Sequence, residues 1–291
     1  MTLEQLRIFV AVAEKQHVTR AASELNLTQS ATSAAIAALE ARYSIKLFDR
    51  IGRGITLTPT GADFLVEARA VLARAKDAVQ VLNELAGLKR GSLAIAASQT
   101  VGNYWLPPRI QTFHAAYPGI DLRLSITNTE QAAKMVLEGS ADVGFVEGEV
   151  EESSLAAKRI DGDNLILAVG AKHPWVNRTK VSAKDLPATP WILRERGSGT
   201  RSMFEAALRR NGLKLSALRI ALELPSNEAV RSAVEAGDGA TAVSDLVAAP
   251  SIVAKTLHHV RFDLPGRSFY ILRHRDRHIS RAEDALLKSL R

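Results

Sequence analysis

The sequence predicts an α/β chain in two parts: a small all-α unit that ends in a short hairpin, and a larger unit of alternating strands and helices, with one long helix between them. Three observations lead there. Apolar residues recur at helical spacing from Leu3 to Tyr43; the segment from Thr60 to Leu88 has no proline, and no glycine between Gly61 and Gly87; beyond Gly91, short apolar runs alternate with amphipathic stretches. A chain of 291 residues is too long for one ordinary core. A composition of 46% hydrophobic, 24% charged and 5% aromatic residues is that of a globular protein, neither disordered nor membrane-embedded.

The absence of cysteine excludes a disulfide framework, a thiolate metal site and a cysteine nucleophile. Residues Met1 to Val12 lack the basic start, apolar stretch and cleavage site of a signal peptide, and no apolar run approaches bilayer length. The expectation is a cytoplasmic protein with no membrane partner. A formal net charge of +7 favours a polyanion, but the excess is spread over both parts and marks no surface by itself.

Taken in order, Leu3, Leu6, Ile8, Phe9, Val12 and Ala13 form the buried face of a first helix. A second runs from about Thr19 to Leu25. Thr28 is placed to cap a third, which continues through Ile36 and Leu39 to Tyr43. Two helices joined this tightly match a helix-turn-helix. Two short extended runs between Ile45 and Thr58, around a glycine-containing turn, predict a hairpin that serves as a wing.

Pro59 suits the first turn of the long helix. Within it Leu65, Leu72, Val79 and Ala86 fall seven apart, and Ala68, Ala75 and Leu82 follow the first three by three residues. That is a heptad seam, and Leu65, Leu72, Val79 and Leu82 are its candidate dimerisation contacts. A helix packed within its own chain is the alternative the spacing leaves open.

In the larger part, strands are predicted at Leu93–Ala97, Ile120–Ile126, Val143–Val146, Leu165–Val169, Trp191–Leu193, Arg219–Leu224, Ala240–Val243 and Phe269–Leu272. Helices are expected near Trp105–Tyr117, Glu130–Glu138, Arg201–Arg210, Glu228–Glu235 and Ala282–Leu290. The alternation implies largely parallel sheets with ligand sites at strand ends.

Leu3-Glu4-Gln5-Leu6-Arg7-Ile8-Phe9, Thr19-Arg20-Ala21-Ala22, Leu27-Thr28-Gln29-Ser30, Leu39-Glu40, Leu47-Phe48-Asp49-Arg50 and Leu57-Thr58-Pro59-Thr60-Gly61 resemble the N-terminal signature of LysR-type transcriptional regulators. The resemblance implies an α/β chain with an N-terminal all-α winged helix-turn-helix, a long linker helix and a two-lobed effector domain like the periplasmic solute-binding proteins. On that plan residues 1–58 bind DNA, 59–90 are the linker and dimerisation helix, and 91–291 bind the effector. Lobe one is then 92–158 plus 267–291, and lobe two 159–266. The implied partners are double-stranded DNA carrying an imperfect inverted repeat, a small effector, further copies in a homodimer and tetramer, and RNA polymerase. On DNA the protein would be nucleoid-associated.

The resemblance places the third helix in the major groove. Gln29 offers an amide edge to adenine, and Thr28, Ser30, Thr32 and Ser33 are short enough to touch base edges or phosphates. Arg20, Arg50 and Arg53 are the expected phosphate or minor-groove contacts. Many members have proline at Ser30 and a long polar or basic residue at Ala34, so direct readout here rests on fewer contacts, with help from DNA shape.

The implied cleft is lined at strand ends by Ser98 and Thr100, by Glu147, by the loop Arg196-Gly197-Ser198-Gly199-Thr200, and by Asn227. The loop joins a strand to a helix, so its backbone N–H groups and hydroxyls converge on an anion at a helix N-terminus. A plain turn is the rival reading. Arg194 and Arg196 favour an anion; Glu147 opposes one unless it is paired or the ligand carries a proton. These segments resemble a LysR subgroup that includes regulators of sulfur metabolism, which implies a small anionic effector such as the sulfur oxyanion sulfite.

No enzymatic role, cofactor or metal is expected. Gly-Ser-Gly-Thr lacks the P-loop lysine and no Gly-x-Ser-x-Gly elbow is present. His274 and His278 sit among Arg273, Arg275 and Arg277, where a further cation is disfavoured.

Overall fold

The computed structural model describes residues 1–51, 54–85 and 91–290. The chain divides into two compact units, one holding residues 1–88 with 138–140 and the other residues 89–137 with 141–291.

The first unit comprises α1 (Leu3–Lys15), α2 (Val18–Glu24), α3 (Gln29–Tyr43), the hairpin β1 (Phe48–Ile51) and β2 (Gly54–Leu57), and α4 (Pro59–Leu85). Its helix starts follow from side-chain capping. Thr2 and Gln5 form a reciprocal capping box on α1, and the Thr28 hydroxyl accepts the Ala31 N–H at 3.1 Å to begin α3. Leu6, Phe9, Val12, Ala21, Ile36, Leu39 and Leu47 make the core. The Phe9 ring lies 5.4 Å from that of Phe48 and 4.9 Å from that of Phe64, tying α1 to the wing and to α4. Replacing such an aromatic by alanine costs about 3–5 kcal/mol. The Glu40 carboxylate accepts the Leu47 and Phe48 N–H groups at 2.7 and 3.2 Å, which fixes where the wing begins.

Helix α4 corrects the expected seam. Leu65, Ala68 and Leu72 pack against the core of their own unit, so the first half of the heptad pattern is intramolecular. Val79 and Leu82 are exposed, as are Val71 and Leu85. Val71, Ala75, Ala78, Leu82 and Leu85 are spaced alternately four and three apart, which lays them along one face of the helix.

In the second unit β3 (Gly91–Ser98) leads through a π-helical turn, Val101–Trp105, into α5 (Leu106–Ala116). There follow β4 (Ile120–Thr127), α6 (Thr129–Glu138), β5 (Val143–Glu147), β6 (Leu155–Gly170), β7 (Pro190–Arg194), α7 (Gly199–Arg210), β8 (Arg219–Leu224) and α8 (Asn227–Ala236). The chain ends with β9 (Ala240–Ser244), α9 (Asp245–Val253), β10 (Leu257–Val260), β11 (Gly266–His274) and α10 (Arg281–Ser289).

The strands lie in the order β4-β3-β5-β11-β6-β9-β7-β8, with β10 also paired to β6. At one end β3 runs parallel to β4 and β5, and at the other β7 runs parallel to β8 and β9. The expectation of largely parallel sheets fails between them. There β11 is antiparallel to both β5 and β6, and β6 is antiparallel to β9 and β10. Each end has its own core, one around Trp105, Phe113, Phe145 and Phe269 and one around Trp175, Trp191, Leu193 and Phe204. These are two lobes on one spine. Among the described residues no helix is long and apolar enough to cross a membrane.

The two faces of α4 give different outcomes on substitution. Leu72→Asp buries an unpaired charge against the Phe9 core and should lower the melting temperature of the N-terminal unit, whereas Leu82→Asp should leave it within about 0.5 kcal/mol of wild type. Equal losses, measured by chemical denaturation, would show that both residues face the same core.

Candidate functional site

The first candidate surface is built by α2, α3 and the hairpin. Gln29, Ser33 and Arg50 line one groove with His17, Thr19 and Ile55, so α3 and the hairpin present polar groups to a common space. Gln29, Ser30, Ser33 and Arg50 are exposed, as is Arg20. Thr28 is exposed but its hydroxyl is engaged, capping Ala31 and lying 3.0 Å from the Ser30 hydroxyl.

Thr32 is a correction: it is fully buried and its hydroxyl donates to the Thr28 carbonyl at 3.0 Å, so it cannot reach a base. Its spacing to Ile36 and Leu39 is the signal that places it inward. Arg53 lies outside the described residues. His17, which the sequence did not single out, joins the groove and accepts the Arg20 N–H at 3.4 Å through Nδ1.

The second site lies between the lobes of the second unit, where β3, β5, β7 and β8 all end. Ser98, Thr100, Glu147, Ser198, Thr200 and Asn227 are brought together and are all buried. Gly197 has φ 85°, and a Cβ there would meet Glu130 Oε2 at 2.6 Å. At Gly199 a Cβ would stand 2.4 Å from the Glu147 carbonyl oxygen and 2.9 Å from Glu147 Cγ. Only glycine permits this approach of α7 to the end of β5.

Around Glu147 the polar groups form a chain. The Ser98 hydroxyl donates to one carboxylate oxygen, and the Thr200 hydroxyl faces the other, Oε1, at 3.5 Å. Arg267 Nη1 donates to Thr200 Oγ1 at 2.8 Å. The guanidinium then closes on Asp163, with Nε 2.5 Å from Oδ1 and Nη2 bonded to Oδ2. This pair spans the two strands that link the lobes, and its side chains are 0% and 1% exposed. Burial pushes the Arg267 pKa down, but the bonds to Asp163 and the charges of Glu147, Asp163 and Asp245 outweigh it and hold the group above its ordinary value.

On the other wall Arg194 is buried and fully engaged. It donates to Asn227 Oδ1 at 2.6 Å and to both oxygens of Glu195 at 2.8 and 2.9 Å. Burial raises the Glu195 carboxyl, yet the hydrogen bonds and charge of Arg194, with Asn128, leave it below its usual range. Asn227 Nδ2 reaches Thr100 at 3.1 Å, and Asn227 N–H donates to Gln99 at 2.8 Å, so the lobes are hydrogen-bonded directly. Arg196 is exposed and stands outside this set.

At the start of α7 a buried group remains open. Ser198 is the N-cap of α7, but its side chain makes no capping bond, and its Oγ has no partner among the described residues. The first N–H groups of a helix lack intrahelical acceptors, and α7 aims them at this point.

The Arg267–Asp163 pair should be costly to halve. Arg267→Met leaves Asp163 buried without its cation and should destabilise the second unit by about 3–5 kcal/mol, while adding Asp163→Leu should recover much of the loss. Denaturation of the two variants checks this; no recovery in the double variant would show that the pair acts through other contacts.

Comparison with known proteins bears on both surfaces. Residues 3–62 match the bacterial regulatory helix-turn-helix protein, lysR family, and residues 86–291 match the LysR substrate binding domain. YeiE, an HTH-type transcriptional regulator of Escherichia coli K12, is 34% identical over 284 residues, covering 97% of this chain and 94% of that protein. The structure of full-length CbnR, a protein complexed with its target DNA, superposes with a TM-score of 0.69 at 22% identity, over 100% of this chain and 99% of that one. The CcmR regulatory domain of Synechocystis PCC6803, in complex with 2-PG, gives 0.63 at 27% identity, over 69% of this chain and 96% of that one. The relatives are transcriptional regulators rather than enzymes. The protein is a DNA-binding transcription regulator of the LysR family, with an N-terminal helix-turn-helix and a periplasmic-binding-protein-like effector domain.

Proposed function

We propose that this regulator senses a small anionic metabolite in the cleft between its lobes, and that filling the cleft alters transcription of its target genes from an imperfect inverted repeat. The observation that carries the reading is the Ser198 hydroxyl, buried and unpartnered at the N-terminus of the twelve-residue helix α7. Donors gathered at a helix N-terminus suit an oxyanion. The small ligand, 2-PG, in the CcmR regulatory domain supports a small molecule as the effector class. The subgroup resemblance adds sulfite as the leading candidate.

The domain plan follows: 1–58 on DNA, 59–90 as linker and 91–291 for the effector. The exposed stripe of α4 that includes Leu82 is the dimer contact, and dimers pair into tetramers. The protein works in the cytoplasm, on the nucleoid and beside RNA polymerase. Gln29, Ser30 and Ser33 read or approach base edges, with Arg20, Arg50 and Arg53 on phosphates.

Two experiments test the two ends of the reading. Ser198→Ala removes a hydroxyl bond to a charged acceptor, worth about 1.5–3 kcal/mol, and should weaken sulfite binding roughly ten- to a hundredfold in calorimetry. Wild-type affinity would make the loop a structural turn. Gln29→Ala should cost about 1–3 kcal/mol per half-site on cognate DNA and little on random DNA. Equal losses on both would restrict Gln29 to positioning the backbone.

A further inference from the structure

The cleft holds a charge pattern that an ordinary anion does not fit. Arg194 is neutralised by Glu195 and Arg267 by Asp163, each through paired hydrogen bonds. Among the described residues Glu147 has no cation bonded to its carboxylate, whose partners are the Ser98 and Thr200 hydroxyls. The groups facing it from each packed element are few. From β3 comes Ser98, from α6 Thr129 with Glu130 beyond it at Gly197, and from α7 Thr200. Arg201 on α7 is turned away onto Glu205 and Glu223. From β11 comes Arg267, shared with Asp163 of β6 and near Asp245 of α9. Two paired arginines and one unmatched carboxylate leave the pocket with an excess of negative charge.

A dianion placed beside this carboxylate would be repelled in a buried, low-dielectric setting. The hydrogen-bond inventory points to the remedy. The Ser98 hydroxyl gives its hydrogen to Glu147 and accepts the Glu147 N–H at 3.3 Å; the Thr200 hydroxyl faces Glu147 and accepts from Arg267. Both hydroxyls are therefore committed. What remains at the head of α7 among the described residues is a set of donors, the Ser198 hydroxyl and the first backbone N–H groups, beside an acceptor, Glu147 Oε1, met there by Thr200 at 3.5 Å. Donors next to a single acceptor are the complement of an oxyanion with bare oxygens and one O–H.

We infer that the cleft selects an oxyanion that still carries a proton, whose O–H donates to Glu147 while Ser198 and the α7 N-terminus hold its bare oxygens. This rests on the reading of the cleft as an anion site. It narrows that reading to hydrogen-bearing anions and excludes fully deprotonated ones of the same shape. Glu147 is then the specificity-determining residue, and Ser98 and Thr200 orient its carboxylate.

Inorganic phosphate and sulfate are tetrahedral oxyanions of closely similar shape, and near neutral pH only phosphate keeps a proton. Calorimetric titration of the full-length protein should show phosphate binding at least about tenfold more tightly than sulfate. Sulfite sheds its proton as pH rises through neutrality, so its affinity should fall about tenfold for each pH unit on the alkaline side. Glu147→Gln replaces the acceptor with an amide able to donate. It should raise sulfate affinity and flatten the sulfite pH profile, a gain that a damaged cleft cannot produce. Sulfate binding the wild type as tightly as phosphate, with a flat sulfite profile, overturns the inference but leaves the anion site standing. Failure of all three anions to bind overturns the anion reading and this inference with it.

Discussion

The antiparallel pairing of β6 with β11 is the constraint on which the second unit depends. β6 runs from Leu155 to Gly170 and contributes to both lobes, and β11 lies beside it from Gly266 to His274. The cleft of the second unit hangs from this two-stranded spine. The spine sets β3 and β5 on one side and β7 and β8 on the other, with their C-terminal ends facing a common space, as ligand sites in α/β sheets require. A buried ion pair, Arg267 with Asp163, is locked across the spine. Such a pair contributes little net stability over apolar residues, but it fixes orientation, because neither charge tolerates separation from the other.

That pair also links the spine to the site. Arg267 holds Thr200, Thr200 faces Glu147 and Glu147 accepts from Ser98, so one line of polar contacts passes from the linking strands through lobe two into lobe one. A second line crosses through Asn227, Thr100 and Gln99. The two lobes are thus joined across the cleft by hydrogen bonds that any bound molecule must fit between or rearrange.

Much of this was legible in the sequence. The helical periodicity of the first unit, the Thr28 cap and seven of the second unit's strands lie where their residue patterns put them, and the strand-end positions Ser98, Glu147, Ser198, Thr200 and Asn227 converge. What escaped has physical reasons. After Leu155 the first part of β6 is mostly exposed and interrupted by Lys158, Arg159, Asp161, Gly162 and Asp163, so only Leu165 to Val169 read as a strand. Helix α9 contains Pro250, which argues against a helix, and β10 carries two histidines in four residues. Arg267 and Asp163 are far apart in the chain and belong to no motif; only the pairing of β6 with β11 unites them. In α4 the heptad pattern was real, but periodicity does not say which partner a face meets, and the core around Phe9 claims Leu65 and Leu72.

The spine is not uniform. Between Phe269 and Tyr270 the register against β6 shifts, so that Phe269 faces Asp161 and Tyr270 faces Arg159, leaving Ile160 as the extra residue of a bulge. Bulges concentrate bending and twist at one point in an otherwise stiff ladder. Both sides of the bulge belong to lobe one: Phe269 and Tyr270 are paired to Glu147 and Val146 of β5, and Ile160 packs against the Trp105 core. The bend therefore falls where the spine leaves lobe one, ahead of the ladder to β9 that begins at Leu165, and it sets the angle at which the linking strands enter lobe two.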